Sequence, residues 1–210
     1  LDTIHSDKEE PVLSEYHVPD FGNITNVAVY GLDESIRRAK YPMAVDTADL
    51  NTELTKGIRA LAQSATGEGH DQWETGVIVQ FDLRYTVKAW TEAERYTFLD
   101  FISSQSTMHR IAKFNLDNQY ISYTDPRMVE IMKELVARYN ETKDPEDYLR
   151  VLYSNPCGFQ LVAGMSTNYR QLKTIYQQRK NHRLPEWREF CQWIETLPRA
   201  HDLIIREAAA

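Results

Sequence analysis

The sequence runs to 210 residues with 42% hydrophobic and 11% aromatic side chains, enough to bury a core without disulfides or metals. Its 24 basic against 31 acidic residues leave a net charge of −7, which argues against a duplex nucleic-acid binder, a class that usually carries a basic excess. No apolar run approaches a membrane span, no basic-then-apolar leader opens the chain, and Cys157 and Cys191 make neither a disulfide framework nor a zinc site; the expectation is a soluble, cytoplasmic protein with no membrane and no metal.

Residues 1–22 are rich in acids and read as a peripheral arm, 23–200 as one domain and 201–210 as a tail. Asn23–Tyr30 is apolar and β-branched, which predicts a strand. Asp33 is placed to cap a helix reaching about Lys40, and Asn51 or Thr52 to open a second through about Ala65, with Leu54, Ile58 and Leu61 at helical spacing. Residues 66–71 form a loop. Gly76–Lys88 alternates, with Val77, Val79, Phe81, Leu83, Tyr85 and Val87 on one face; Gln80, Asp82, Arg84 and Thr86 form a wet face. Thr91 and Glu94 have capping-box spacing and predict a helix to about Ser106. Asp125-Pro126 and Asp144-Pro145 are two further helix starts, for helices over about 126–139 and 145–153. Cys157–Met165 reads as a strand that buries Cys157; Ser166 or Thr167 then caps a helix through about Lys180, and Pro185 opens a last helix ended by Pro198. The class is α+β, a single domain with a central, mostly antiparallel sheet flanked by helices.

The common catalytic motifs are missing: there is no phosphate loop, no His-Glu-x-x-His, no Gly-x-Ser-x-Gly, and the six histidines lack metal spacing. Two stretches carry chemistry. In the first, Asn168, Leu172, Ile175 and Arg179 are spaced 4, 3 and 4, so they share a helical face, within a basic run from Arg170 to Arg188 whose one acid is Glu186. Guanidinium groups so concentrated suit phosphate. In the second, His109-Arg110 lies in Gln105–Tyr120, a pair able to meet an anionic or flavin-like ring.

Taken together, these stretches resemble the flavin-dependent thymidylate synthases. That family has Gln-x-x-Arg-His-Arg, matched here by Gln105, His109 and Arg110 with Met108 in place of the first Arg. Its later Ser falls on Asn118, and its acidic residue two before that on Leu116. The Arg-x-x-x-Pro segment matches Arg150 to Pro156 with two extra residues, and Asn-x-Arg-x-Leu with a further Arg matches Asn168, Arg170, Leu172 and Arg179 in spacing. Upstream, Gly69-His70-Asp71 matches, while a Glu-His pair is lost on Thr75-Gly76.

The resemblance implies nucleotide contacts at Gln105, Arg110, Arg150 and Arg179, and flavin contacts at His70, His109, Asn168 and Arg170. It singles out no catalytic residue. Met for Arg removes a fixed charge and five N–H donors, and flavin chemistry needs its ring held against the substrate. The implied function is therefore a divergent homologue that binds a dUMP-like pyrimidine deoxynucleotide, with FAD binding weak or absent. Two alternatives are an active, phage-type methyl- or hydroxymethyltransferase acting at a pyrimidine C5, and a non-catalytic interaction protein reusing the fold. The family builds each site from several subunits, which implies a homotetramer; Trp73, Trp90, Trp187 and Trp193 are candidate interface groups.

Overall fold

In the computed structural model, residues 15–65 and 67–206 are described; readings that fall on residues 1–14, on Thr66 or on residues 207–210 lie outside them. Five strands make one sheet: β1 (Glu15–Val18), β2 (Ile24–Tyr30), β3 (Ile78–Thr86), β4 (Asp100–Ser104) and β5 (Gln160–Asn168), in the order β1-β2-β3-β5-β4 with every pair antiparallel. Around it lie α1 (Leu32–Arg38), α2 (Lys56–Ala62), α3 (Val87–Ala93), α4 (Thr107–Arg110), α5 (Pro126–Thr142), α6 (Pro145–Ser154), α7 (Tyr169–Arg179), α8 (Pro185–Ile194) and α9 (Ala200–Leu203). The single α+β domain with an antiparallel sheet is as the sequence predicts. β1 lies within the stretch read as an arm, and Leu203 and Ile204, both within the stretch read as a tail, are buried.

The alternation of β3 sets the core. Val79, Phe81, Leu83 and Tyr85 are buried, and across the β3–β5 ladder Phe81 faces Met165 and Leu83 faces Ala163. Leu172 and Ile175 of α7 and Trp187, Phe190, Trp193 and Ile194 of α8 close over that face. Each large side chain buried this way stabilises the fold by about 1.5–3 kcal/mol. Trp90, Trp187 and Trp193 are buried in this core, so they are not the interface groups the sequence suggested. A second core, Ile111, Leu116, Met132, Val151 and Phe159, lies between the α5–α6 hairpin and the 111–118 segment.

Several local readings are corrected. The helix expected from Thr91 to Ser106 does not form: α3 starts earlier, with Thr86 accepting from the Ala89 N–H at 3.1 Å, and Thr91 returns its hydroxyl to the Lys88 carbonyl. Residues 100–104 instead pair as an edge strand with β5, where a ladder of backbone bonds outweighs the local helix signal. α1 is preceded by Gly31 at φ +71°, where a Cβ would sit 2.8 Å from the Gly76 carbonyl; Asp33 lies in the first turn and accepts from the Tyr16 hydroxyl. α2 begins at Lys56, capped by Thr55, while Asn51 binds Lys40. The cap of α7 is Asn168, because Thr167 stays in β5 and donates to the Phe98 carbonyl. Cys157 is exposed in a turn before β5 rather than buried in a strand. Thr86, read as wet, is buried under Glu186 of α8.

Among the described residues, no helix is long and apolar enough to cross a membrane, and no group of His, Cys, Asp and Glu could hold a metal ion.

Candidate functional site

The start of α7 is where sequence-predicted residues converge. β5 runs directly into the helix, so Asn168 must cap it: its Oδ1 accepts from the Gln171 N–H at 2.9 Å. Two residues on, Arg170 reaches back to the 71–76 turn, with Nε 3.0 Å from Asp71 and Nη1 2.8 Å from the Gln72 side chain. Asn168, Arg170, Gln171 and Thr174, with Asp71, Thr75 and the exposed ring of Phe98, line a cavity of about 450 Å³. An adjoining cavity of about 340 Å³ shares Phe98, Gln171 and Thr174 and runs on to Arg95, Gln178 and Arg179. His70 is exposed beside Asp71.

Beneath this cavity lies a charge cluster that sequence reasoning missed. Lys173, 2% exposed, places Nζ 2.5 Å from Glu74, 3.4 Å from Asp71 and 2.6 Å from the Ala62 carbonyl. Glu74 is fully buried, and desolvation lifts its carboxyl to about pH 7 even though Lys173 beside it pulls the other way. Asp71 is thus shared between Lys173 and Arg170. The signal was present: Tyr169, Leu172, Lys173 and Tyr176 fall on one helical stripe, and a lysine among apolar residues there needs a buried partner.

The four residues assigned to the nucleotide do not all meet within one chain. Gln105 accepts from the Val162 N–H at 3.0 Å and lines a cavity of about 260 Å³ with Arg110, Lys113 and Phe114. Arg150 sits on α6, 3.4 Å from Asp147, which Arg138 also holds. Arg179 is 8% exposed: Nε bonds the Tyr96 hydroxyl at 2.8 Å, Nη1 lies 2.9 Å from Glu92, and its guanidinium covers the rings of Trp187 and Tyr96. His109 is exposed on α4 and lines neither α7 cavity. Leu116, in the place of an acid in the resemblance, is buried in the second core and anchors its loop there.

A fourth cavity, of about 550 Å³, contains none of the predicted site residues. The end of β3, the 121–128 segment, the 156–158 turn and the 183–188 segment enclose it. It escaped sequence reading because four distant pieces of chain build it.

No family model matches the sequence, and no curated protein matches it. Solved structures do. The chain is 14% identical to the flavin-dependent thymidylate synthase ThyX from Helicobacter pylori, solved with FAD and dUMP, over 87% of this chain and 97% of that one, with a TM-score of 0.69. It is 17% identical to the UMP/dUMP methylase PolB from Streptomyces cacaoi, solved with 5-Br dUMP, over 85% and 94%, with a TM-score of 0.60. The chain therefore has the fold these proteins share.

Proposed function

We propose that this protein binds a pyrimidine mononucleotide, with the cavity at the start of α7 as its site and without a resident flavin. The observation that carries the reading is the meeting of Asn168, Arg170 and the exposed Phe98 ring in one cavity. Asn168 keeps its amide NH₂ free of the cap, and Arg170 Nη2 has no partner among the described residues, so both can donate to a phosphate or a base carbonyl. Phe98 offers a face for a planar ring. The dUMP and 5-Br dUMP in the solved structures of the same fold support the ligand class.

The residues present do not fit a flavin held as the resemblance implies. Met108 stands where the resemblance has a guanidinium and supplies no charge, the Glu-His pair is lost on Thr75-Gly76, and the Asn168 carbonyl is used by the helix. No reaction step is assigned through that group.

The reading includes a homotetramer. Gln105 with Arg110, and Arg150, lie in two places apart from the α7 cavity, so bringing them to it needs further copies. The exposed Phe98, Phe101, Ile102 and Met108, on and beside the edge strand β4, give such copies an apolar surface.

Calorimetry with dUMP and dCMP tests the site. Arg170→Ala should weaken binding roughly tenfold or more, one charge-assisted hydrogen bond being worth about 1.5–3 kcal/mol. No heat from the wild type at millimolar nucleotide would remove the reading. Sedimentation resolves the assembly, and a persistent monomer would remove the tetramer. Flavin absorbance retained after FAD addition and gel filtration would overturn the flavin-free part.

A further inference from the structure

We propose that the 550 Å³ cavity between the 121–128 and 183–188 segments is a second binding site, for a small ring compound that presents an N–H edge at one end and a phosphate at the other. The inference does not depend on the α7 reading, because the two cavities share no residue. Its size is that of small-molecule sites, and Ile121, Met128, Pro156, Leu184 and Pro185 give it apolar walls.

The N–H edge follows from what the fold leaves unmet. Glu186 lines the cavity and is 4% exposed; its Oε1 accepts from the Thr86 hydroxyl at 2.6 Å, while Oε2 is buried with no hydrogen-bond partner. No cation lies within ion-pair distance of this carboxylate among the described residues. The alternative is a carboxylate placed only to face the α8 N-terminus. A helix dipole contributes at most about 2 kcal/mol, less than the several that an unpaired buried carboxylate costs. Thr124 Oγ1, on the same cavity, is likewise buried without a partner. The two loops are locked: Ile121 N–H donates to the Gly158 carbonyl at 3.0 Å, and a Cβ on Gly158 would lie 2.0 Å from Thr124 Oγ1. The wall is thus formed before a ligand arrives, which limits the entropy lost on binding.

The phosphate end follows from the cations. Arg183 has no partner among the described residues, and Arg188 uses only Nη1, on the His182 and Arg183 carbonyls. Lys88 adds a third positive group, shared with Glu92. The one other carboxylate on the cavity, Asp125, is neutralised by Arg127. Two open guanidinium groups suit a phosphate better than a neutral end.

Cys157 supplies the reporter. It is an exposed thiol on this cavity, whereas Cys191 is buried and its thiol is pushed up to about 12, so iodoacetamide should label Cys157 selectively. The probes are CMP, with both features, and cytidine, without the phosphate. CMP should slow labelling of the wild type more than cytidine does. Glu186→Gln should weaken CMP protection about ten- to a hundredfold. Arg183→Ala, an outer residue, should bring CMP down to the level of cytidine. Arg170→Ala should change neither. No protection by CMP at millimolar concentration, or protection lost in Arg170→Ala alone, overturns the proposal. If Glu186→Gln does not fold, unchanged CMP protection in Arg183→Ala overturns it instead.

Discussion

Helix α7 buries one cation near each end, and the two burials differ in kind. Lys173 is a point charge enclosed by two carboxylates, Glu74 and Asp71, and the Glu74 oxygens lack hydrogen bonds of good geometry. Arg179 is a flat guanidinium lying over Trp187 and Tyr96, 4.8 and 5.5 Å from their ring centres, with hydrogen bonds to Tyr96 and Glu92 in its plane. The second arrangement suits a weakly hydrated ion that stacks; the first leaves desolvation uncompensated, which is why the Glu74 carboxyl titrates so high. One cluster therefore holds tension under a cavity, and the other is a settled part of the core.

The largest effect should come from breaking the tense cluster on one side only. Lys173→Met leaves Glu74 and Asp71 buried without their shared cation, and should cost about 4 kcal/mol in urea unfolding. Replacing the pair together, Lys173→Met with Glu74→Leu, should recover most of that loss, because an apolar pair of similar volume needs no desolvation. A double variant as unstable as the single one would show that the pair contributes net stability, contrary to this account.

Arg179 should respond differently. Arg179→Ala removes two ring contacts and the Tyr96 and Glu92 bonds, for about 3 kcal/mol. Arg179→Lys should keep the charge near Glu92 but lose the stacking and the planar fork, for about 1–2 kcal/mol. Nucleotide affinity of the folded Arg179→Lys protein should match the wild type. A loss of dUMP binding without a loss of stability would restore Arg179 to the nucleotide site that the resemblance implies.

How much of this could be read from sequence follows from which signals are local. Asp125-Pro126 and Asp144-Pro145 each start a helix because cap and proline act within one turn. The alternation of β3 was plain because burial repeats every second residue. The Thr91–Glu94 box misled because an equally local signal lost to pairing between strands some sixty residues apart. At the site, Asn168 and Arg170 line one cavity because β5 runs straight into α7 and sets both at its first turn. Spacing fixes a face but not a depth, so it placed Arg179 on a ligand face when Tyr96 and Trp187 enclose it. Glu74 and Lys173 are ninety-nine residues apart, and nothing in either segment alone names the other.

A further effect separates the clusters by pH, because their signs oppose. The folded carboxyl of Glu74 is raised from its ordinary 4.5 to about 7, so between those values the folded chain holds a proton the unfolded chain has released. Stability must then fall as pH rises through this window, by roughly 2 kcal/mol between pH 5 and 7. Lys173 of α7, Asp71 of the same turn, Arg206 of the C-terminal segment and Tyr169 are the charged or titratable groups coupled to it, and Arg170 pairs with Asp71. At the other end His182 is held below its usual range by burial and by Arg179, whose Nη1 lies 2.7 Å from Nε2. Its contribution is present at neutral pH and is lost as pH falls below about 6.5, when the ring must charge against the guanidinium. Unfolding followed from pH 5 to 8 should show Glu74→Gln removing the loss on the alkaline side while the acid-side loss remains. His182→Asn should do the reverse. If Glu74→Gln leaves the wild-type curve unchanged in shape, the Lys173 cluster is not under tension and the contrast between the two ends of α7 fails.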